Sequence, residues 1–240
     1  MEKKRGTLYG VGVGPGDPRL LTLWAVEVLG RVPVVFAAGS TRNDYSLALD
    51  IVRDRLPPET EVRPLDFPMT RDRRVLEEAW AENASQVLEV LEGGRDAAFI
   101  TLGDPLTYST FGPLLKTIQL LAPEIEVVTV PGVTAYHAAA ARLNQPLAQG
   151  DESLIVVTGL KNGQDLKTLA GGAENVVILK AYRNFDRLCE ALDQAGLAEK
   201  AVLVSCCGRE DERIERRVDR LRGQIPPYLS LLLIKSNGVE

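Results

Sequence analysis

Three times in the first 143 residues a short apolar run ends in a loop built on glycine and then gives way to a helix-like segment. The loops occupy residues 10–17, 103–105 and 131–134. Repetition of strand, tight loop and helix restricts the fold strongly: strands that alternate with helices pair in parallel, and their carboxyl ends collect on one edge. The apolar runs predict strands at the first loop and over 32–38, 61–67, 96–102 and 124–130. Apolar spacing predicts helices over 20–32, 44–56, 113–121 and 135–143. A longer helix is expected from a Thr70 cap to a stop at Gly93-Gly94, with Val75, Leu76, Ala79, Trp80, Ala84, Val87, Leu88 and Leu91 on its buried stripe. Trp80 reads as a core residue on that stripe.

The first loop, Gly10-Val-Gly-Val-Gly-Pro-Gly-Asp17, places glycine at every second position. Missing Cβ atoms allow a ligand or another backbone to come close. The dinucleotide fingerprint Gly-x-Gly-x-x-Gly is absent, because Pro15, Asp17 and Arg19 stand where its third glycine belongs. Asp17 also sets a carboxylate where a diphosphate needs N–H donors. The loop is therefore expected to serve something other than a pyrophosphate.

Beyond residue 150 the pattern continues with strands over 153–158 and 175–181 and helices near 164–169 and after an Asn184 cap, stopped by Gly196. The end of the chain is strand-rich, over 201–207, 213–218 and 229–235. These patterns predict an α/β protein of two α/β domains, a mainly parallel N-terminal sheet over 1–122 and a mixed C-terminal sheet over 123–240.

Composition narrows the function. A formal charge of -5 over 240 residues argues against a nucleic-acid binder that relies on a global positive field. One histidine, His137, rules out a multi-histidine zinc centre. Three cysteines, with Cys206 and Cys207 adjacent in an apolar run, suit buried thiols on opposite strand faces in a reducing compartment. The N-terminus does not read as a signal peptide and no apolar run reaches transmembrane length, so the expectation is a cytoplasmic protein without a membrane partner.

Three ordered motifs carry a resemblance. Tyr9-Gly-Val-Gly-Val-Gly-Pro-Gly-Asp-Pro18 with Leu20-Leu-Thr22, then Leu102-Gly-Asp-Pro-Leu-Thr-Tyr-Ser-Thr110, then Pro131-Gly-Val-Thr134, resemble the tetrapyrrole methylase family. Within it, Ala138-Ala-Ala-Ala-Arg-Leu143, Gly150-Asp-Glu152, Glu210-Asp-Glu-Arg-Ile214 and Tyr228-Leu-Ser-Leu-Leu-Leu-Ile234 are similar to the C-20 methyltransferases of corrinoid biosynthesis, which act on precorrin-2. Ala135-Tyr136-His137 departs from the smaller residues of that pattern. The resemblance implies a homodimer that uses S-adenosyl-L-methionine, held in a cleft between the two domains, to methylate a reduced tetrapyrrole.

It also implies roles for residues. Gly103, Asp104, Pro105, Tyr108, Ser109, Thr110, Pro131, Gly132, Thr134, Thr158, Tyr182 and Cys206 are the cofactor-side candidates. Gly12, Gly14, Pro15, Gly16 and Asp17 are the substrate-side candidates, with the glycines admitting a flat macrocycle. Arg19, Arg42, Lys116 and Arg142 are candidates to hold its carboxylates. Asp104 is the candidate to remove the meso-carbon proton, the alternative being that it caps and orders its turn. The same resemblance leaves open another ring position, or an RNA or protein acceptor. A nucleotide-binding module without turnover is the reading from another class, and no phosphate-loop motif supports it.

Overall fold

In the computed structural model, which describes residues 4–39, 46–159 and 164–235, the first apolar run forms a central strand, β1 (Leu8–Gly12), buried at every position. It is buried because it is paired on both sides, in parallel with β4 (Ala97–Thr101) and with β5 (Val127–Val130). β2 (Val34–Gly39) and β3 (Glu61–Asp66) complete an all-parallel sheet in the order β3-β2-β4-β1-β5.

The chain leaving β1 and β2 steps one way across this sheet, and the chain leaving β3 and β4 steps the other way. Right-handed crossovers then place the two sets of helices on opposite faces. Accordingly α1 (Leu23–Leu29) and α2 (Leu47–Val52) pack Val28, Leu29, Ile51 and Val52 against Val11, Val35 and Ile100. On the other face α3 (Arg73–Glu92) and α4 (Phe111–Leu121) pack Val87, Leu91, Leu114 and Ile118 against Leu8, Phe36 and Phe99.

Several expectations need correction. The helix over 20–32 splits into a 3-10 turn, Pro18–Leu20, and α1, because Thr22 caps α1 by accepting from Ala25 N at 3.1 Å. The expected helix over 44–56 begins outside the described residues, as does Arg42. α3 is capped by Asp72, which accepts from Arg74 N; Thr70 accepts from Asp72 N one step earlier. Only the second half of α3 covers the sheet, so Val75 is exposed and Trp80 is half-buried outside the core. A helical stripe reports which face is apolar but not how far the helix overhangs its sheet. The expected junction at 122/123 precedes β5, yet β5 is a strand of the first sheet, and the first compact unit runs to Thr134.

The second unit, 135–240, opens with α5 (Ala135–Leu143), as predicted. It continues through β6 (Leu154–Thr158), α6 (Gln164–Gly172), β7 (Asn175–Leu179), α7 (Phe185–Ala195), β8 (Ala201–Ser205), β9 (Arg213–Glu215) and β10 (Ser230–Lys235). The sheet order is β6-β7-β10-β8-β9, with β6 and β7 parallel and β10 antiparallel to both β7 and β8. Leu166, Leu188 and Leu192 cover one face through Ile178, Leu203 and Leu232. Gly196 ends α7 in the left-handed region, as expected, at φ 66°. Asn184 occupies the cap position but makes no side-chain cap hydrogen bond, because its own backbone is left-handed.

Candidate active site

The three motif loops of the first unit meet because β1, β4 and β5 are parallel neighbours whose carboxyl ends share one edge. They are joined mainly by backbone. Gly14 and Gly103 exchange hydrogen bonds, Gly103 N to Gly14 O at 2.8 Å and Gly14 N to Gly103 O at 3.3 Å, and both lie in the left-handed region at φ 76° and 68°. Gly12 and Gly132 face one another across the Gly103 carbonyl. A Cβ on Gly132 would lie 2.2 Å from that oxygen and 2.8 Å from Gly12 Cα; one on Gly12 would lie 2.6 Å from the oxygen. This corrects the reading of Gly12 as part of a floor for a flat ligand: the space beside it is filled by chain. Gly10 is accounted for in the same way, by the Phe111 ring at 2.1 Å from its missing Cβ.

Asp104 ties the second loop to the third. Its Oδ1 accepts from Leu106 N at 2.9 Å and from the Thr107 hydroxyl at 3.2 Å, while Oδ2 accepts from Gly132 N at 3.2 Å. Three donors thus engage the carboxylate proposed as a proton acceptor. Next to it, Leu106 and Tyr108 expose most of their apolar surface at the rim, and Tyr108 adopts φ 52°, unusual for a bulky residue. Ser109 folds back on the Pro105 carbonyl and accepts from Phe111 N at 3.2 Å, which fixes the start of α4. Thr110 sits at the cap of α4 without a side-chain cap bond. Pro131 is exposed and Thr134 buried. In the first loop Pro15 is buried, Gly16 and Asp17 are half-buried, and Asp17 caps the 3-10 turn through Arg19 N at 2.9 Å. Asp17 also pairs with the Arg19 guanidinium at 2.6 Å, so this candidate for a substrate carboxylate already holds one.

In the second unit β6, β7 and β8 run in one direction, because β7 and β8 are both antiparallel to β10. Their carboxyl ends bring Thr158, the turn 180–184 and Cys206 to one edge. Thr158 is exposed. Tyr182 packs on Tyr228 at 5.1 Å between ring centres and accepts from Arg183 Nε at 3.0 Å. Tyr228 escaped the sequence reading as a candidate of its own; the Pro226-Pro227 pair just before it is the signal for a fixed loop there.

Cys206 and Cys207 lie beyond the end of β8, so strand alternation does not separate them as expected; Cys206 itself turns the chain at φ 52°. Burial, then its contact with Asp211, pushes the Cys206 thiol up to about 11. Burial, then the Glu212 charge, pushes Cys207 up to about 12. Both are protonated near neutrality and suit packing rather than nucleophilic chemistry.

Glu212, another residue the sequence did not single out for a role, locks this turn. It accepts from Gly208 N at 2.7 Å and from Arg142 on α5 at 2.7 and 2.8 Å. Burial raises its carboxyl, but Arg142, Gly208 and the Cys207 thiol outweigh burial and hold the group below the ordinary carboxylate value. Arg142 is thereby committed within the unit. Glu212→Gln is expected to cost about 1.5–3 kcal/mol, the range for hydrogen bonds to a charged group. Because the folded value is depressed, the contribution is complete above the ordinary value near ~4.3 and is lost as pH falls through the folded value. Calorimetric melting at pH 7 and near pH 3 checks this: the gap between wild type and variant should be smaller at the lower pH, and an equal gap at both overturns it.

Comparison with known proteins gives a family match and full-length relatives. The family model described as tetrapyrrole (corrin/porphyrin) methylases matches residues 7–220. A cobalt-precorrin-2 C(20)-methyltransferase of Salmonella typhimurium is 37% identical over 231 residues, covering 95% of this chain and 96% of the relative. A precorrin-2 C(20)-methyltransferase of a Sinorhizobium species is 31% identical over 238 residues, covering 95% of each. Among solved structures, a uroporphyrin-III C-methyltransferase from Thermus thermophilus complexed with S-adenosylhomocysteine superposes with a TM-score of 0.67 at 22% identity, over 97% of this chain and 99% of that one.

Proposed function

The chain belongs to the tetrapyrrole (corrin/porphyrin) methylases, and from that premise we propose that it transfers a methyl group from S-adenosyl-L-methionine to C-20 of precorrin-2, metal-free or carrying cobalt, in cobalamin biosynthesis. The observation that carries this reading is identity of 37% along essentially the whole length of a cobalt-precorrin-2 C(20)-methyltransferase. The higher identity to that relative than to the precorrin-2 enzyme, 37% against 31%, favours the cobalt form of the acceptor.

The residues present suit such a cofactor. The rim of the first unit offers turned backbone at Gly103, a hydroxyl at Thr110, and exposed apolar surface at Leu106 and Tyr108. It carries a carboxylate, Asp104, rather than a basic cluster, which fits a cationic amino acid–nucleoside and not a phosphate ester. Gly103, Asp104, Pro105, Tyr108, Ser109, Thr110, Pro131, Gly132 and Thr134 are the proposed holders on this unit; Thr158, Tyr182 and Cys206 are those on the other.

Bound S-adenosylmethionine supplies a methyl group already activated on a sulfonium. The protein's own work is alignment, which in well-oriented systems is worth up to about 7–11 kcal/mol. Backbone-locked loops suit that task, since a rim that does not rearrange loses no orientation at the moment of transfer. Three donors leave one of the carboxylate's roughly four lone-pair sites, on Oδ2, for the meso-carbon proton; the first role of Asp104 is to hold the loops in register. Gly14, Pro15, Gly16 and Asp17 remain the proposed substrate side.

We further propose a homodimer working in the cytoplasm. Among the described residues no helix is long and apolar enough to cross a membrane. The acidic charge of -5 disfavours an RNA acceptor.

Incubation with S-adenosylmethionine and either metal-free or cobalt-loaded precorrin-2 tests the function. One added methyl at C-20 is expected, with faster turnover of the cobalt form. Methylation at another ring position would move the chain to a different member of the family, and methylation of neither acceptor would refute the function.

A further inference from the structure

The turn after β7 places two cations side by side with no carboxylate paired to either among the described residues. Lys180 and Arg183 flank Tyr182. Lys180 is half-buried, so its ammonium is partly withdrawn from water beside a second positive charge. Burial first, and then Arg183, pushes its pKa down. In the free protein this arrangement is unfavourable, and an incoming anion would relieve it.

The turn is also held in a costly shape. Lys180 at φ 55° is left-handed without being glycine, a conformation that persists only where surrounding contacts enforce it, whereas Asn184 at φ 52° is of a type that tolerates this region. Ala181 N donates to Ser230 O at 2.9 Å and Arg183 N to Lys180 O at 3.2 Å. The Arg183 guanidinium lies 5.6 Å from the centre of the Tyr182 ring and donates to its hydroxyl, and Tyr182 rests on the half-exposed Tyr228. The result is a preset patch of two positive charges edged by two aromatic rings.

We propose that Lys180 and Arg183, with Tyr228 as a positioning residue, bind peripheral carboxylates of the tetrapyrrole acceptor at this edge of the second unit, beside the Tyr182 ring assigned above to the cofactor. The proposal rests on the function given above. A reduced tetrapyrrole bears acetate and propionate groups around a flat apolar ring, which matches paired cations beside aromatic faces. S-adenosylmethionine is a poorer match, because its one carboxylate is outnumbered by its own ammonium and sulfonium charges.

The test uses Lys180→Gln, Arg183→Gln and the double variant in the full chain, with melting temperature as the check on folding. Binding of a stable polycarboxylated porphyrin and of its neutral methyl ester is measured by fluorescence titration, S-adenosylhomocysteine binding by calorimetry, and KM and kcat with cobalt-precorrin-2. The double variant is expected to bind the polyacid about tenfold or more weakly, the equivalent of losing about one charge-assisted contact. KM should rise in parallel, while ester binding, kcat and S-adenosylhomocysteine affinity stay within about twofold. Unchanged polyacid binding overturns the proposal, as does a loss of S-adenosylhomocysteine affinity equal to the loss for the polyacid. Should the wild type form no C-20 product yet bind the polyacid through this pair, the function fails and the carboxylate site stands. Should C-20 product form while the double variant binds the polyacid like wild type, the carboxylate site alone fails.

Discussion

Gly132→Ala is expected to be the most damaging single substitution in the first unit, lowering stability by about 3 kcal/mol or more and abolishing S-adenosylhomocysteine binding. The added methyl would stand 2.2 Å from the Gly103 carbonyl oxygen and 2.8 Å from Gly12 Cα. Those atoms are backbone, so no rotamer change relieves the clash; the third loop must back away from the other two. Doing so also stretches the Gly132 N–H from Asp104 Oδ2, now at 3.2 Å. Gly112→Ala is the control, because nothing lies within 4 Å of a Cβ there and the residue is inside α4, where alanine is the better helix former. Thermal melting should drop by several degrees for the first and hold or rise slightly for the second. A Gly132→Ala protein that melts with wild type and keeps its cofactor affinity would show that the loops are not packed as described.

Asp104→Asn carries the second large effect, and it separates two roles. A carboxylate offers two acceptor oxygens, and here both are in use; an amide offers one. Whichever way the amide faces, an NH2 group is turned against either Leu106 N or Gly132 N. Leaving one of those donors unmatched costs about 1–3 kcal/mol. The expected result is a joint fall in melting temperature, S-adenosylhomocysteine affinity and turnover. Wild-type melting and affinity with turnover reduced about 100-fold or more would instead identify Asp104 as the proton acceptor.

The elements that could be read from the residues were those whose signals are local. α5 spans 135–143 as its alanine-rich spacing predicts, and Gly196 stops α7 because only the chain's own φ is involved. The three motif loops were legible as strand ends, and parallel pairing then brings them together without further information.

What was hidden depended on distant partners. Nothing in the spacing of Gly12 says whether an absent Cβ makes room for a ligand or for another loop; the answer is supplied by Gly103 and Gly132, far along the chain. The 122/123 junction failed to include β5 because a strand's membership of a sheet is decided by its neighbour, here β1. Cys206 and Cys207 looked like strand residues until Cys206 took a left-handed turn, which local propensity disfavours and the Leu229 carbonyl, accepting from Cys206 N at 2.7 Å, helps hold. Glu212, Lys180 and Arg183 look like ordinary surface charges in a chain with 25% charged residues, and only their surroundings set them apart.

The meeting of Gly12, Gly103 and Gly132 divides the labour within the rim in a way that matters for engineering. Assembly of the three loops uses main-chain atoms and one carboxylate, so the side chains at Leu106, Tyr108, Ser109 and Pro131 are not needed to keep the loops together as neighbours. A library aimed at new acceptors can vary Leu106 first, and Tyr108, Ser109 and Pro131 with S-adenosylhomocysteine binding as the check on the cofactor side, while holding 10, 12, 14, 103, 104 and 132 fixed. Under such a scheme, loss of activity and loss of folding become separable events.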